Sequence, residues 1–295
     1  MRGVLPLIHL KLPFLGGGRF VSLPYCDAGG VLAEDQAVSY ALVASAEALA
    51  RKEHGKGLEL RQSAPPCGDP LRRHGQTAGK VRMVLELPGD AGRLLAGLKA
   101  KLRSQVNKPQ RDGLTVRLGG PDLVDAFYPI FAENMRDLGS PVHSKAWIRA
   151  VVVHFGERAR VGVVSTPEGL PVAAGVILLH PGTVSIPWAS SLRRFNPLNP
   201  NVLLYWRFLA FAADGGFPRF DFGRSTPGEG TFRFKEQWGA EPFPLYWEDR
   251  LQSKGKKASG FLEGAGRKSA EAIWSHLPLP ATNAIGPVLR RHISL

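Results

Sequence analysis

The chain has 295 residues, 44% of them apolar, with six Trp and fifteen Phe, so it has the material for a buried core and is excluded from the disordered class. Its two cysteines, Cys26 and Cys67, exclude a disulfide framework and a four-cysteine zinc site and fit a reducing, cytoplasmic setting. A formal net charge of +13 favours phosphate-bearing partners or anionic lipid heads, or is simply a solvated Arg-rich surface; alone it names no partner.

Pro6 and Lys11 interrupt the apolar start, and no small-residue cleavage site follows it. No run reaches the roughly 18 apolar residues of a membrane helix. A soluble protein with at most peripheral membrane contact is expected. Gly3–His9 opens the chain in extended form. A helix from about Asp35 to Lys52 follows, stopped by Gly55 and Gly57, then a strand from Leu58 to Ser63. Asp90 caps a helix predicted over 91–108, with Leu94, Leu95, Leu98, Leu102 and Val106 on one face and Lys99, Lys101, Arg103 and Lys108 on the other. Pro109 and the Asp112-Gly113 turn should end it. A short strand, 114–118, leads to a helix capped by Asp122, kinked at Pro129 and stopped at Gly139, with Leu123, Phe127, Phe131, Met135 and Leu138 inward.

Ser144 caps a third helix running to Phe155. Three strands follow, 158–165, 171–180 and 184–190, joined by Pro- and Gly-marked turns. The helix 202–214 is apolar nearly all round and should be buried. A strand at 219–223, a helical turn at 231–238 and a strand at 243–248 complete the unit. The stretch from 251 reads as a poorly packed basic tail, Gly- then Pro-rich, with one helix at 266–276.

The order repeats. Ser22-Leu-Pro-Tyr25, a helix, a Gly stop and Leu58-Glu-Leu-Arg-Gln-Ser63 are echoed by Ser185-Ile-Pro-Trp188, a helix, a Gly stop and Phe220-Asp-Phe-Gly-Arg-Ser225. Gly3–His9 likewise echoes Gly175–His180, with extra hairpin residues around Gly16, Gly17 and Gly18 in the first copy. A tandem duplication in which Pro24 matches Pro187 explains this; the shared grammar of βαβ chains is the competing account. A three-strand meander followed by a buried helix and a further strand fits the GNAT architecture. The expected fold is α/β, a tandem GNAT-like pair with mixed sheets. Residues 1–85 form a partial first copy that lacks its N-terminal part, 86–250 the complete second copy, and 251–295 the tail.

Candidate chemistry clusters at strand ends of the second copy. Arg224, just past a strand, can grip phosphate or carboxylate, and Lys235 can stabilise an oxyanion. An Asp221–Arg224 ion pair with a solvated Lys235 is the equally weighted bland reading. Trp188 can line a pocket or pack in the core, and Ser190 or Ser191 can hydrogen-bond a ligand. Asn134 and Arg136 lie at a helix end, where Arg136 also has a dipole explanation. Glu229 and Glu236 are the available carboxylate bases. A pyrophosphate nest would need free amides after the third meander strand, but 192–201 has no Gly and two Pro. A coenzyme A thioester is therefore the weaker donor candidate, and no cofactor is expected. Motifs for serine hydrolases, zinc proteases, Walker A NTPases and CxxC redox sites are missing.

The segments Gly3–Glu34, Leu58–Arg61, Lys101-Leu-Arg-Ser-Gln105, Asn134-Met-Arg-Asp-Leu-Gly-Ser-Pro141, Ile186-Pro-Trp-Ala-Ser-Ser191, Asn201–Trp206, Asp221–Thr226 and Phe234-Lys-Glu-Gln-Trp-Gly239 resemble the FemAB family. The resemblance is closest to the FemAB-like proteins of PEP-CTERM/exosortase exopolysaccharide loci and spans roughly residues 3–248. It implies two GNAT domains and a transfer of an acyl or aminoacyl group to an amine of an envelope or exopolysaccharide-related acceptor. Aminoacyl-tRNA or another activated acyl species is the implied donor. Lys235 is the catalytic candidate, giving electrostatic support to the donor or acceptor phosphate, and Arg224, Trp188, Ser190, Ser191, Asn134, Arg136 and Arg103 are the substrate-binding set. A catalytically idle scaffold and a nucleic-acid-binding module are the alternative readings.

Overall fold

The computed structural model describes residues 1–11, 18–64, 79–251 and 265–294. Gly16, Gly17, Cys67 and the tail stretch 252–264 lie outside the described residues. In chain order the first elements are β1 (Gly3–Val4), β2 (Ile8–Lys11), β3 (Gly18–Val21), β4 (Leu32–Ala33), α1 (Gln36–Lys52) and β5 (Gly57–Gln62). Next come β6 (Val81–Glu86), α2 (Ala91–Gly97), α3 (Ala100–Arg111), β7 (Thr115–Gly119), α4 (Val124–Asp137) and α5 (Lys145–Phe155). The meander is β8 (Ala159–Ser165), β9 (Pro171–His180) and β10 (Thr183–Ser191), followed by α6 (Pro200–Asp214), β11 (Arg219–Ser225) and α7 (Gly230–Glu236). The chain closes with β12 (Glu241–Pro244), β13 (Tyr246–Asp249), α8 (Ala265–Ser275) and α9 (Leu279–Arg290). It divides into two units, one of residues 1–82, 243–267 and 288–295, the other of residues 83–242 and 268–287.

The second unit is built on a seven-stranded sheet in the order β12-β6-β11-β10-β9-β8-β7. Strands β7 to β10 are antiparallel neighbours, whereas β10 and β11 are parallel because α6 carries the chain back across the sheet. Two glycines make room for that helix. Gly162 of β8 and Gly175 of β9 are register partners, and a Cβ on either would come within 2.9 Å of the Phe208 ring. Phe208, Leu204 and Leu209 are fully buried, each worth about 1.5–3 kcal/mol of transfer free energy. Because α2 and α3 cover its outer side, α6 is apolar all round, as its sequence predicts.

The long predicted helix 91–108 is two helices. Leu98 takes extended angles between α2 and α3, and α3 runs through Pro109 to Arg111. Leu138, expected inward, is 56% exposed. Strand β6 was not expected; its Met83, Val84 and Leu85 are buried next to β11. The strand expected at 243–248 breaks in two at Leu245. Its second half, β13, pairs with β5 of the other unit's sheet rather than completing this one. The tail is also better packed than its composition suggests: α9 adds a second helix, with Thr282 buried and Gly286 against Val142.

The first unit has a four-stranded sheet, β13-β5-β3-β2. An antiparallel hairpin (β2, β3), a helix (α1) and a parallel strand (β5) reproduce the order β9, β10, α6, β11. The registers move the sequence alignment by one residue. Leu58 pairs with Phe20, and its equivalent Phe220 pairs with Val184, so Phe20 rather than Val21 stands in the place of Val184. Pro24 and Pro187 therefore do not coincide: Pro24 lies in a turn between Leu23 (φ 44°) and Tyr25 (φ 69°), while Pro187 is within β10. Helix α1 starts as expected, with the Asp35 carboxylate accepting from the Val38 N–H at 2.8 Å.

Candidate active site

Strands β10 and β11 pair at only two positions, Val184 with Phe220 and Ser185 with Asp221. Beyond these they part, for two local reasons. Between Ser185 and Trp188 the β10 register slips by one residue against β9, a bulge centred on Pro187, which has no N–H to ladder with. In β11, Gly223 adopts φ 71°, open to glycine without the cost other residues carry, and its N–H donates to the Asp221 carboxylate at 2.8 Å. Both strands thus turn away just after their last shared rung, and the amides on the open edge of β10 are left without a strand partner.

The expected residues divide around this opening. Ser190 is buried near the end of β10 and accepts a hydrogen bond from Asn134 Nδ2 of α4 at 3.1 Å. Ser191 follows, half-buried opposite Ala173. Trp188 is half-buried and meets Trp147 edge-on at 5.4 Å; Trp147 stacks on His143 at 4.0 Å. This aromatic wall on the meander face includes two residues, His143 and Trp147, that sequence spacing did not single out. Ser144, the cap of α5, sits between them and was the only local signal.

Lys235 is placed differently from expectation. It is not an open ammonium in a cleft. Only 7% exposed, it donates to the carbonyl oxygens of Gly223 at 3.1 Å and Arg224 at 2.8 Å. A buried ammonium needs such acceptors, and here it fastens the turned end of β11 to α7. Arg224 is half-buried. Glu229 and Glu236, the carboxylates considered as bases, are both exposed on α7 and its cap. Ser225 ends β11 buried, with its hydroxyl unpartnered. Tyr205 of α6 stacks on Phe222 and meets Phe234 edge-on. Burial pushes its hydroxyl far above the usual tyrosine range, so it stays protonated, a donor and not a base.

Two expected ligand-binding arginines have structural duties instead. Arg103 donates to the carbonyls of Ala96 and Leu98 at 2.9 and 3.0 Å, satisfying orphan acceptors at the end of α2. Arg136 directs both Nε and Nη2 at the Asp137 carboxylate, at 3.0 and 2.7 Å. Neither spacing nor composition distinguishes such local partners from a ligand.

In the first unit the position of Gly223 is held by Arg61, whose side chain is fully buried. Its guanidinium pairs with Glu59 at 2.7 Å, donates to the Cys26 carbonyl at 2.9 Å and lies 4.2 Å over the Trp247 ring. Side chains fill that corner in the first unit, whereas the equivalent strands of the second unit part. The loop after β10, residues 193–198, is a 3-10 turn. The N–H groups of Phe195 and Asn199 are spent internally on Leu192 and Asn196 carbonyls, and Pro197 and Pro200 have none.

Residues 96–236 match the family model described as Acetyltransferase (GNAT) domain. The second unit has the GNAT fold. The matched domain is an acetyltransferase domain, and its enzyme class is acyl transfer. Curated protein sequences include no match to the chain. Among solved structures, FemX is similar with a TM-score of 0.63 at 14% identity, covering 85% of each chain. The C-terminal domain (DUF2156) of a putative lysylphosphatidylglycerol synthetase from Agrobacterium fabrum has a TM-score of 0.58 at 13% identity, covering 93% of this chain and 84% of its own. L-PGS from Bacillus licheniformis has a TM-score of 0.54 at 13% identity, covering 85% and 82%. At these identities the likeness is one of fold, and it extends beyond the GNAT domain to the first unit.

Proposed function

We propose that the GNAT domain transfers an aminoacyl group from aminoacyl-tRNA to an amine on a cell-envelope or exopolysaccharide-related acceptor, in the manner of the FemAB-like proteins that the sequence resembles. The observation that carries this reading is the parting of β10 and β11 beyond Ser185 and Asp221. Open main-chain N–H groups at such an edge suit a carbonyl whose oxygen gains negative charge as the amine attacks. The bond formed is amine nitrogen to acyl carbon, and the bond broken is acyl carbon to the ester oxygen of the donor. Asn134 and Ser190 present polar groups beside the edge, Trp188 supplies an apolar wall, and Lys235 holds the β11 end in its turned conformation.

An envelope acceptor is supported by the names FemX and lysylphosphatidylglycerol synthetase among the similar structures. The loop after β10 supports that donor: the Phe195 and Asn199 N–H groups are spent internally and Pro197 and Pro200 have none, a poor cradle for the pyrophosphate of a coenzyme A thioester. The test is a transfer assay with radiolabelled aminoacyl-tRNA and with acetyl-coenzyme A, each presented with amine-bearing envelope precursors and amino sugars. Transfer from the tRNA ester is expected, reduced roughly tenfold in Asn134→Ala, the value of about one hydrogen bond. Acetyl transfer from the thioester alone, with micromolar binding by calorimetry, would refute the donor assignment.

A further inference from the structure

Helix α3 carries a charged surface that the transfer chemistry leaves unused. Its twelve residues, Ala-Lys-Leu-Arg-Ser-Gln-Val-Asn-Lys-Pro-Gln-Arg, include no acid. Leu102, Val106 and Pro109 face inward. At about 3.6 residues per turn, Lys101, Ser104, Lys108 and Arg111 fall in one stripe on the opposite side, with Asn107 beside it, and all five are exposed. Asp112, which pairs with Lys108, is the one carboxylate at the end of the stripe. A depression of about 470 Å³ on this face is lined by Ser104, Asn107, Gln110 and Arg111: a hydroxyl, two carboxamides and a guanidinium. These are donors for phosphate and sugar oxygens.

The C-terminal end of the stripe lies at the end of the sheet where β10 finishes. Strand β7, which follows α3, begins with Thr115 opposite Ser165 at the end of β8; Ser165 is opposite Pro171 at the start of β9; and Ala173 is opposite Ser191 at the end of β10. Arg111 therefore stands at the same end of the sheet as the end of β10, three strands away from it. At the other end, the Ala91 N–H donates to Asp214, which sets the start of α2 beside the far end of α6.

We propose that the exposed face of α3 is a docking surface for the phosphate backbone of an RNA, leading its acylated end to the opening beside β10. The proposal rests on the reading of an RNA-borne donor. A lipid surface fits less well, because interfacial helices bury apolar side chains and this face offers hydroxyls, carboxamides and cations.

The test is fluorescence anisotropy with labelled, deacylated tRNA over a salt series, comparing the unmodified protein with Lys101→Ala/Lys108→Ala/Arg111→Ala. All three side chains are exposed, so the circular dichroism spectrum should not change. The triple variant should bind roughly tenfold more weakly or worse. Its slope of log affinity against log salt should shrink by about two, since each lost phosphate contact is worth ~0.7–0.9. A triple variant that binds tRNA like the unmodified protein overturns the docking surface and leaves the donor reading standing. Unmodified protein that binds no tRNA at low salt overturns both. Intact tRNA binding with lost binding to phosphatidylglycerol vesicles overturns the proposal in favour of a membrane.

Discussion

Single side chains set the conditions of this site. Lys235 holds two carbonyls of the turned strand end, so its removal should act first on stability. Lys235→Met keeps the stem and deletes the donors; urea denaturation should show a loss of about 2–4 kcal/mol, the worth of two charge-assisted bonds and their stranded acceptors. A variant as stable as the parent would mean that the ammonium does not fasten β11. His9 of β2 gives the first unit a pH dependence. Burial, and secondarily the charge of Lys11, lower its pKa below 6.5, partly offset by Glu53. Its ring stacks on Phe20 with Nε2 buried and unpartnered. The unfolded chain then takes up the proton first as pH falls. The stability contributed by neutral His9 is complete above about pH 6.5 and is lost as pH drops through that value toward the lower folded pKa. Melting curves from pH 8 to 5 should fall in this window and flatten in His9→Phe.

Between elements, close approach matters more than polarity. Gly175 faces Phe208 of α6 on one side and the Trp188 carbonyl of β10 on the other; a Cβ would meet both at 2.9 Å. Neither a packed ring nor a main-chain oxygen yields easily. Gly175→Ala should cost about 1–3 kcal/mol and, because the pushed carbonyl belongs to the bulged segment of β10, should lower transfer more than a distant mutation of equal cost. Unchanged chemical denaturation would show that α6 can move outward instead. Part of this arrangement was legible beforehand. The helix start near Asp35, the caps Asp90 and Ser144, the meander and the buried helix follow from local signals, whereas the break at Leu98 and the strand β6 do not. Leu98 fits the apolar helical period perfectly well; its extended angles end α2 and let Arg103 close the exposed carbonyls.

For the whole molecule, the C-terminal residues are part of the fold. In the second unit Gly286 of α9 lies against Val142, and the Gly139 turn meets Glu271 of α8. In the first unit the Tyr25 N–H donates to the Ser294 carbonyl, and the Tyr25 hydroxyl to that of Arg290. A chain ending at 278 should therefore melt several degrees lower, a loss of at least 1–2 kcal/mol. Equal melting temperatures for the full and shortened chains would return the segment to the status of a tail.

The sequence alone determined most of the elements, their order and the GNAT pattern they compose, because periods of 2 and 3.6, caps and glycine stops are written within a few residues of one another. The strand β6, the break at Leu98 and α9 carry no such local mark. The sequence also singled out the strand ends 187–191 and 221–226 as candidate chemistry. Tertiary structure decided the rest. That β13 joins β5, that Arg61 fills in the first unit the corner that Gly223 leaves open in the second, and that Lys235, Arg103 and Arg136 serve the protein's own acceptors are facts about partners. Whether a cation meets a ligand, a carbonyl or a neighbouring carboxylate depends on where the folded chain brings those groups, and side-chain chemistry is the same in each case.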